Sequence, residues 1–96
     1  MPTTLIRTAT TIEDVRQEAV LKLAAVLQML QRRNDPRDHL ETVRSLLESL
    51  PLSTGEYGIA QNRLRNAERY LRSQEHGAAR FELQMLAGSL HNGSAM

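Results

Sequence analysis

Val20-Leu21-Lys22-Leu23-Ala24-Ala25-Val26-Leu27-Gln28-Met29-Leu30 is the longest apolar run in the chain, broken only by Lys22 and Gln28. Read at the helical period it extends in both directions. Ile12, Val15, Ala19, Leu23, Val26, Leu27 and Leu30 fall on one broad face. Alanine and leucine are strong helix formers, and no Gly or Pro interrupts residues 11–33. A helix of that length reaches about 34 Å. One ridge stands apart. Leu21, Ala25 and Met29 recur at i, i+4, i+8 on the opposite side, among Gln17, Lys22, Gln28 and Arg32. Packing against a single neighbour leaves this ridge in water, so a further part of the chain or a second molecule is expected to cover it.

Upstream, residues 1–9 contain Pro2, Thr3, Thr4 and Thr8 and read as a flexible arm. Thr10-Thr11-Ile12-Glu13 has capping-box spacing, with the Thr10 hydroxyl accepting from the Glu13 amide and Glu13 reaching back. The first helix is therefore expected over about 10–33, with Arg32 and Arg33 at its negative end. Asn34-Asp35-Pro36 is a stop and a restart, Asp35 as N-cap and Pro36 as first helical residue. The second helix, 35–50, has the inward seam Leu40, Val43, Leu47 and Leu50, with Leu46 beside it. So short a link makes the first two helices antiparallel neighbours. Pro51 ends the second, and Ser53-Thr54-Gly55-Glu56 is another capping box, with Leu52 and Tyr57 placed as a hydrophobic staple.

The third helix, 54–73, presents Tyr57, Ala60, Leu64, Ala67 and Leu71, with Ile59 and Tyr70 widening the apolar side. The alanines permit close approach of a neighbour. Beyond it, Ala79, Leu83, Leu86 and Leu90 form a seam displaced by about 100° from the Tyr57–Leu71 face. A phase shift at Gly77 predicts a turn and a fourth helix over 76–90. Gly77 is then expected to need a left-handed backbone or close packing, and Gly77→Ala to destabilise. The alternative is one long third helix, with which Ala78, Phe81 and Met85 stay in phase. Residues 91–96 read as a flexible tail. The fold class is all-α: a small up-down helical bundle of three to four helices, forming one domain over 10–90.

Composition narrows the function. Ninety-six residues make one domain, and with Tyr57, Tyr70 and Phe81 as the only aromatics the core must be Leu, Ala, Val and Met. Cysteine is absent, which excludes disulfides and thiolate chemistry and fits a reducing compartment. Met1-Pro2-Thr3-Thr4-Leu5-Ile6-Arg7 has no apolar h-region, and the central apolar run is about half a membrane span. A cytoplasmic location without membrane contact is the expectation. A formal charge of +1 gives no global drive towards nucleic acid or acidic lipid.

Candidate chemistry is sparse. His39, His76 and His91 are far apart, and none belongs to an H-x-x-x-H or E-x-x-H pair, so no metal site is expected. Asp35 precedes His39 by four but is wanted as a cap. Glu13, Asp14 and Glu18 cluster where a helix dipole stabilises acids. There is no G-x-S-x-G, P-loop or G-x-G-x-x-G. The chain is expected not to be an enzyme and to use neither cofactor nor small-molecule substrate.

Two surfaces remain. Leu21, Ala25 and Met29 are the candidate partner-binding ridge, for a second copy or another protein. Arg65, Arg69 and Arg72, continued by His76, form a basic stripe on the third helix that suits a polyanion. Glu68 is spaced to neutralise Arg65 and Arg72, and Glu75 to neutralise Arg72. No aromatic lies among these arginines for base stacking. The expected function is protein–protein interaction by a small, self-associating cytoplasmic helical protein: an adaptor, co-chaperone, or inhibitor or subunit of a larger assembly. The alternative is a nucleic-acid-binding regulator using the arginine stripe.

Overall fold

Hydrogen bonds at the helix ends decide where each element starts and stops. A computed structural model describes residues 11–92, so the expected arm and most of the expected tail lie outside the described residues. Within them run α1 (Ile12–Gln31), α2 (Arg37–Glu48), α3 (Thr54–Arg72) and α4 (His76–Asn92). No described residue is in a strand. Among the described residues no helix is long and apolar enough to cross a membrane.

The first cap lies one residue later than the sequence suggests. Thr11, not Thr10, is the N-cap: its hydroxyl accepts from the Asp14 amide at 3.1 Å, and the Asp14 carboxylate accepts from the Thr11 amide at 3.2 Å. Thr11-Ile12-Glu13-Asp14 repeats the same spacing of hydroxyl and acid, and this register frees Glu13 to pair with Arg16 at 2.8 Å. At the other end α1 stops at Gln31 because Arg33 turns left-handed, with φ at 61°. The Arg33 amide then donates to the Leu30 carbonyl at 3.2 Å, and the Asn34 amide to that of Met29 at 2.9 Å. This is a Schellman closure with arginine where glycine is usual. Pro36, not Asp35, is the N-cap of α2 and Arg37 its first residue; Asp35 instead accepts from the Arg37 amide at 3.0 Å, a side-chain turn just ahead of the helix. The Ser53–Glu56 box forms as expected, at 2.9 and 3.1 Å.

The chain does break between α3 and α4, but not at Gly77. Gln74 is the left-handed residue, with φ at 65°. Its amide reaches the Leu71 carbonyl at 3.1 Å, and the Glu75 amide reaches that of Tyr70 at 2.8 Å. The motif needs one left-handed position, just past the helix end, and Gln74 occupies it. Gly77 lies in the first turn of α4, and a Cβ there would meet nothing within 4 Å. The expectation of a strained or crowded Gly77 is thus overturned, and with it the expected destabilisation by Gly77→Ala.

Around the bundle α1 packs on α2 and α4, and α3 packs on α4 and, less extensively, on α2. Among the described residues no Cα atom of α1 comes within 8 Å of one in α3, nor any of α2 within 8 Å of one in α4. The four helices therefore form a ring, up-down-up-down, with α1 diagonal to α3. All four predicted seams turn inward, except that Ile12, at the start of the expected α1 face, is exposed. Ala19, Leu23, Val26 and Leu30, then Leu40, Val43, Leu47 and Leu50, then Ala60, Leu64 and Ala67, then Ala79, Leu83, Leu86 and Leu90 make the core. Tyr57, Tyr70 and Leu71 cover its edge, partly buried. The described core contains no buried polar or charged residue.

Three substitutions test this account by denaturant midpoint. Gln74→Gly relieves the left-handed residue and should stabilise by up to ~1 kcal/mol. Gly77→Ala adds helix propensity without a clash and should also stabilise, by up to ~1 kcal/mol. A destabilised Gly77→Ala protein would contradict the position of the break. Leu83→Ala, at a fully buried site, should cost ~2–5 kcal/mol.

Candidate interaction surfaces

The side chains left over when the core is filled define the surfaces. Ile12, Leu21, Ile59, Phe81 and Met85 are large, apolar and exposed. Leu21 is 68% exposed, the highest of them. It sits opposite the buried Ala19–Leu23–Val26–Leu30 stripe, so neither α2 nor α4 lies over it. Ala25 and Met29 are half-buried on the flank. The ridge is thus divided: its lower end is open, while Ala25 and Met29 are partly covered within the molecule.

A second apolar surface lies along α3 and α4. Its geometry follows from one ion pair, Arg63 to Glu82 at 3.1 Å. Ile59, Arg63, Asn66 and Tyr70 share a flank of α3, and Ala78, Glu82, Met85 and Ser89 share a flank of α4. The ion pair makes these flanks face each other. The helices are antiparallel, so Ile59 and Met85 come level one turn to one side of it. Tyr70 and Ala78 lie to the other side, and Phe81 stands beside them on the outer surface of α4. Phe81 is 56% exposed, Ile59 46% and Met85 42%. Sequence reasoning misses this patch because the helical period sets Ile59 beside the buried side of α3, and Phe81 and Met85 enter only as residues in phase with one long helix. The signal is present all the same: once Ala79, Leu83, Leu86 and Leu90 are the seam, Phe81 must face away from it.

The arginine stripe is in solvent at Arg65, Arg69 and Arg72, but its expected neutralisation does not occur. Glu68 reaches instead across to α2, where its carboxylate pairs with Arg44 at 2.7 Å. Arg44 also holds Glu41 at 2.6 Å, and the hydrogen bond to Glu68 is the main reason that its guanidinium pKa is raised. Among the described residues Arg65, Arg69 and Arg72 have no carboxylate within ion-pair distance, and Arg69 bonds only to Asn66, at 2.7 Å. A helical wheel alone favours partners three or four residues apart. Here the buried edge of Glu68 turns it towards the neighbouring helix.

His76 does not continue the stripe. It is half-buried at the start of α4 and lines an open cleft of about 790 Å³ at one end of the bundle. The cleft brings His76 and Arg72 together with Arg33 and Gln74, the two left-handed residues, while Arg65 and Arg69 lie outside it. Of its four carboxylates, Asp35, Glu41 and Glu68 are each held by an arginine, and Asp38 has no ion pair among the described residues. Asp35 titrates below the usual carboxylate range, chiefly because the Arg37 side chain donates to it. That contribution to stability is present above the unfolded carboxylate pKa and is lost as pH falls through the lowered value. Each shifted proton equilibrium therefore has an ion-pair origin. No group of three His, Asp or Glu among the described residues is placed to hold a metal ion.

No protein-family model matches the chain, and comparisons with curated proteins and with solved structures found no match.

Proposed function

We propose that this chain works by binding protein, as a small cytoplasmic helical adaptor, co-chaperone or subunit of a larger assembly, and not by catalysis. The observation that carries the reading is the cluster of Ile59, Phe81 and Met85 around the Arg63–Glu82 pair, exposed on one side of a bundle whose core is complete without them. Fully burying one such side chain is worth ~1.5–3 kcal/mol. These three side chains are about half exposed, so roughly half of that remains to be gained on a partner surface.

A photo-reactive amino acid placed at position 81 or 21 should give a discrete cross-linked protein product in the cells that make the chain. The same group at Glu48, exposed on α2, should give none. Absence of product from both positions would remove the reading. Phe81→Ala should leave the unfolding midpoint within ~0.5 kcal/mol while reducing the product.

A second reading is favoured by the diversion of Glu68 to Arg44, which leaves Arg65, Arg69 and Arg72 available to a polyanion. Fluorescence anisotropy with short DNA and RNA at low salt tests it. Binding should weaken steeply with salt. Changing all three arginines to Gln should reduce the slope by ~0.7–0.9 for each phosphate no longer neutralised. No binding at micromolar protein removes this alternative.

A further inference from the structure

The four interfaces of the ring are unequal, and the cleft lies in the least extensive one. α2 and α3 come close at fewer points than any other adjacent pair of helices. The cleft separates them: Asp38, Leu40 and Arg44 of α2 stand on one wall, and Glu68, Leu71 and Arg72 of α3 on the other. Arg44 and Glu68 are the lining residues of these two helices farthest from the turns, so their ion pair at 2.7 Å closes the inner end. Among the described residues it is the only ion pair between α2 and α3. α2 brings little else to the seam. It is the shortest helix, it buries no alanine for close approach, and its N-cap Pro36 makes no side-chain capping bond.

Connectivity leaves the cleft end of this seam free. Residues 49–53 tie α2 to α3 at the far pole, with Leu50 buried. At the cleft pole the turns join α1 to α2 and α3 to α4, and no backbone crosses from α2 to α3. The two helices can part there while α1–α2, α1–α4 and α3–α4 all stay packed.

We propose that the α2–α3 seam is a gate. The α1–α2 hairpin swings away from the α3–α4 hairpin about the α1–α4 contact, residues 49–53 are the hinge, and Arg44–Glu68 is the latch. Closed, Leu40 is wholly buried and Leu71 partly so. Open, both line a widened groove. The latch is built to release. Its side chains keep 27% and 25% of their exposure, so each charge returns to water cheaply when the pair separates. In the ion pair across the most extensive interface, from Arg63 to Glu82, the carboxylate side chain is only 13% exposed. The gate does not depend on which outer surface meets a partner.

Pulsed electron resonance between two spin labels reads the gate directly. The chain has no cysteine, so Asp38→Cys and Arg72→Cys place the labels on the two exposed walls. Gln28→Cys and Gln84→Cys, exposed on α1 and α4, give a control pair across the contact that stays packed. Glu68→Arg sets two guanidiniums against each other, and the longer-distance population of the wall pair should rise by about tenfold. Adding Arg44→Glu should return it to the short distance. About 1 M salt should lengthen the wild type in the same direction, by less. The control pair should not change in any of these proteins. If Glu68→Arg loses helical circular dichroism, Glu68→Gln takes its place, with a smaller shift of the same sign. A wall-pair distribution unaltered by both substitutions and by salt would overturn the gate. So would a control pair that lengthens along with the wall pair, because the bundle would then be loosening as a whole.

Discussion

Close approach of helices through alanine governs this molecule. Ala19, Ala60, Ala67 and Ala79 are completely buried, on three of the four helices. With no aromatic in the fully buried core, the interior has little volume to spread over, and the backbones must come together to fill space at ordinary protein density. The leucines then interlock between them. α2 is the exception, with Leu40, Val43 and Leu47 and no buried alanine. It is also the shortest helix, and it meets α3 over the smallest of the four interfaces. A tight interior of this kind has no room for Phe81, Ile59 or Met85, and the same constraint that builds the core sends these side chains outward.

What is legible in the sequence follows from which interactions are local. The seams of α2 and α4 are readable to the residue, because each needs only the helical period and a run of leucines. The Ser53–Glu56 box is readable because its partners are three residues apart. The start of α1 is ambiguous by one position because two overlapping stretches, Thr10–Glu13 and Thr11–Asp14, offer the same spacing. Their local chemistry is nearly equal, and the Glu13–Arg16 pair fits the later register.

The features that escape the sequence belong to interactions that no local rule contains. Gly77 is the nearest glycine to the phase shift, yet Gln74 and Arg33 take the left-handed positions. The steric cost of doing so is about 1–2 kcal/mol, small enough for four packed helices to impose it. Glu68 has two arginines within reach on its own helix and pairs with a third on another. That pairing depends on which flank of α3 meets α2, a tertiary fact. It changes the meaning of the arginine stripe from a neutralised surface to an available one. The outward patch at Ile59, Phe81 and Met85 likewise depends on α3 and α4 being separate helices.

The alternation of directions in the ring has a topological consequence. α1 begins and α4 ends at the same pole of the bundle, on adjacent helices that touch. The cleft with Arg33, Arg72, Gln74 and His76 lies at the other pole, among the two turns. The described unit is therefore a loop of structure entered and left through one doorway. It can be spliced into a host protein, or carry a fusion at either end, without the cleft or the two outer faces being obstructed.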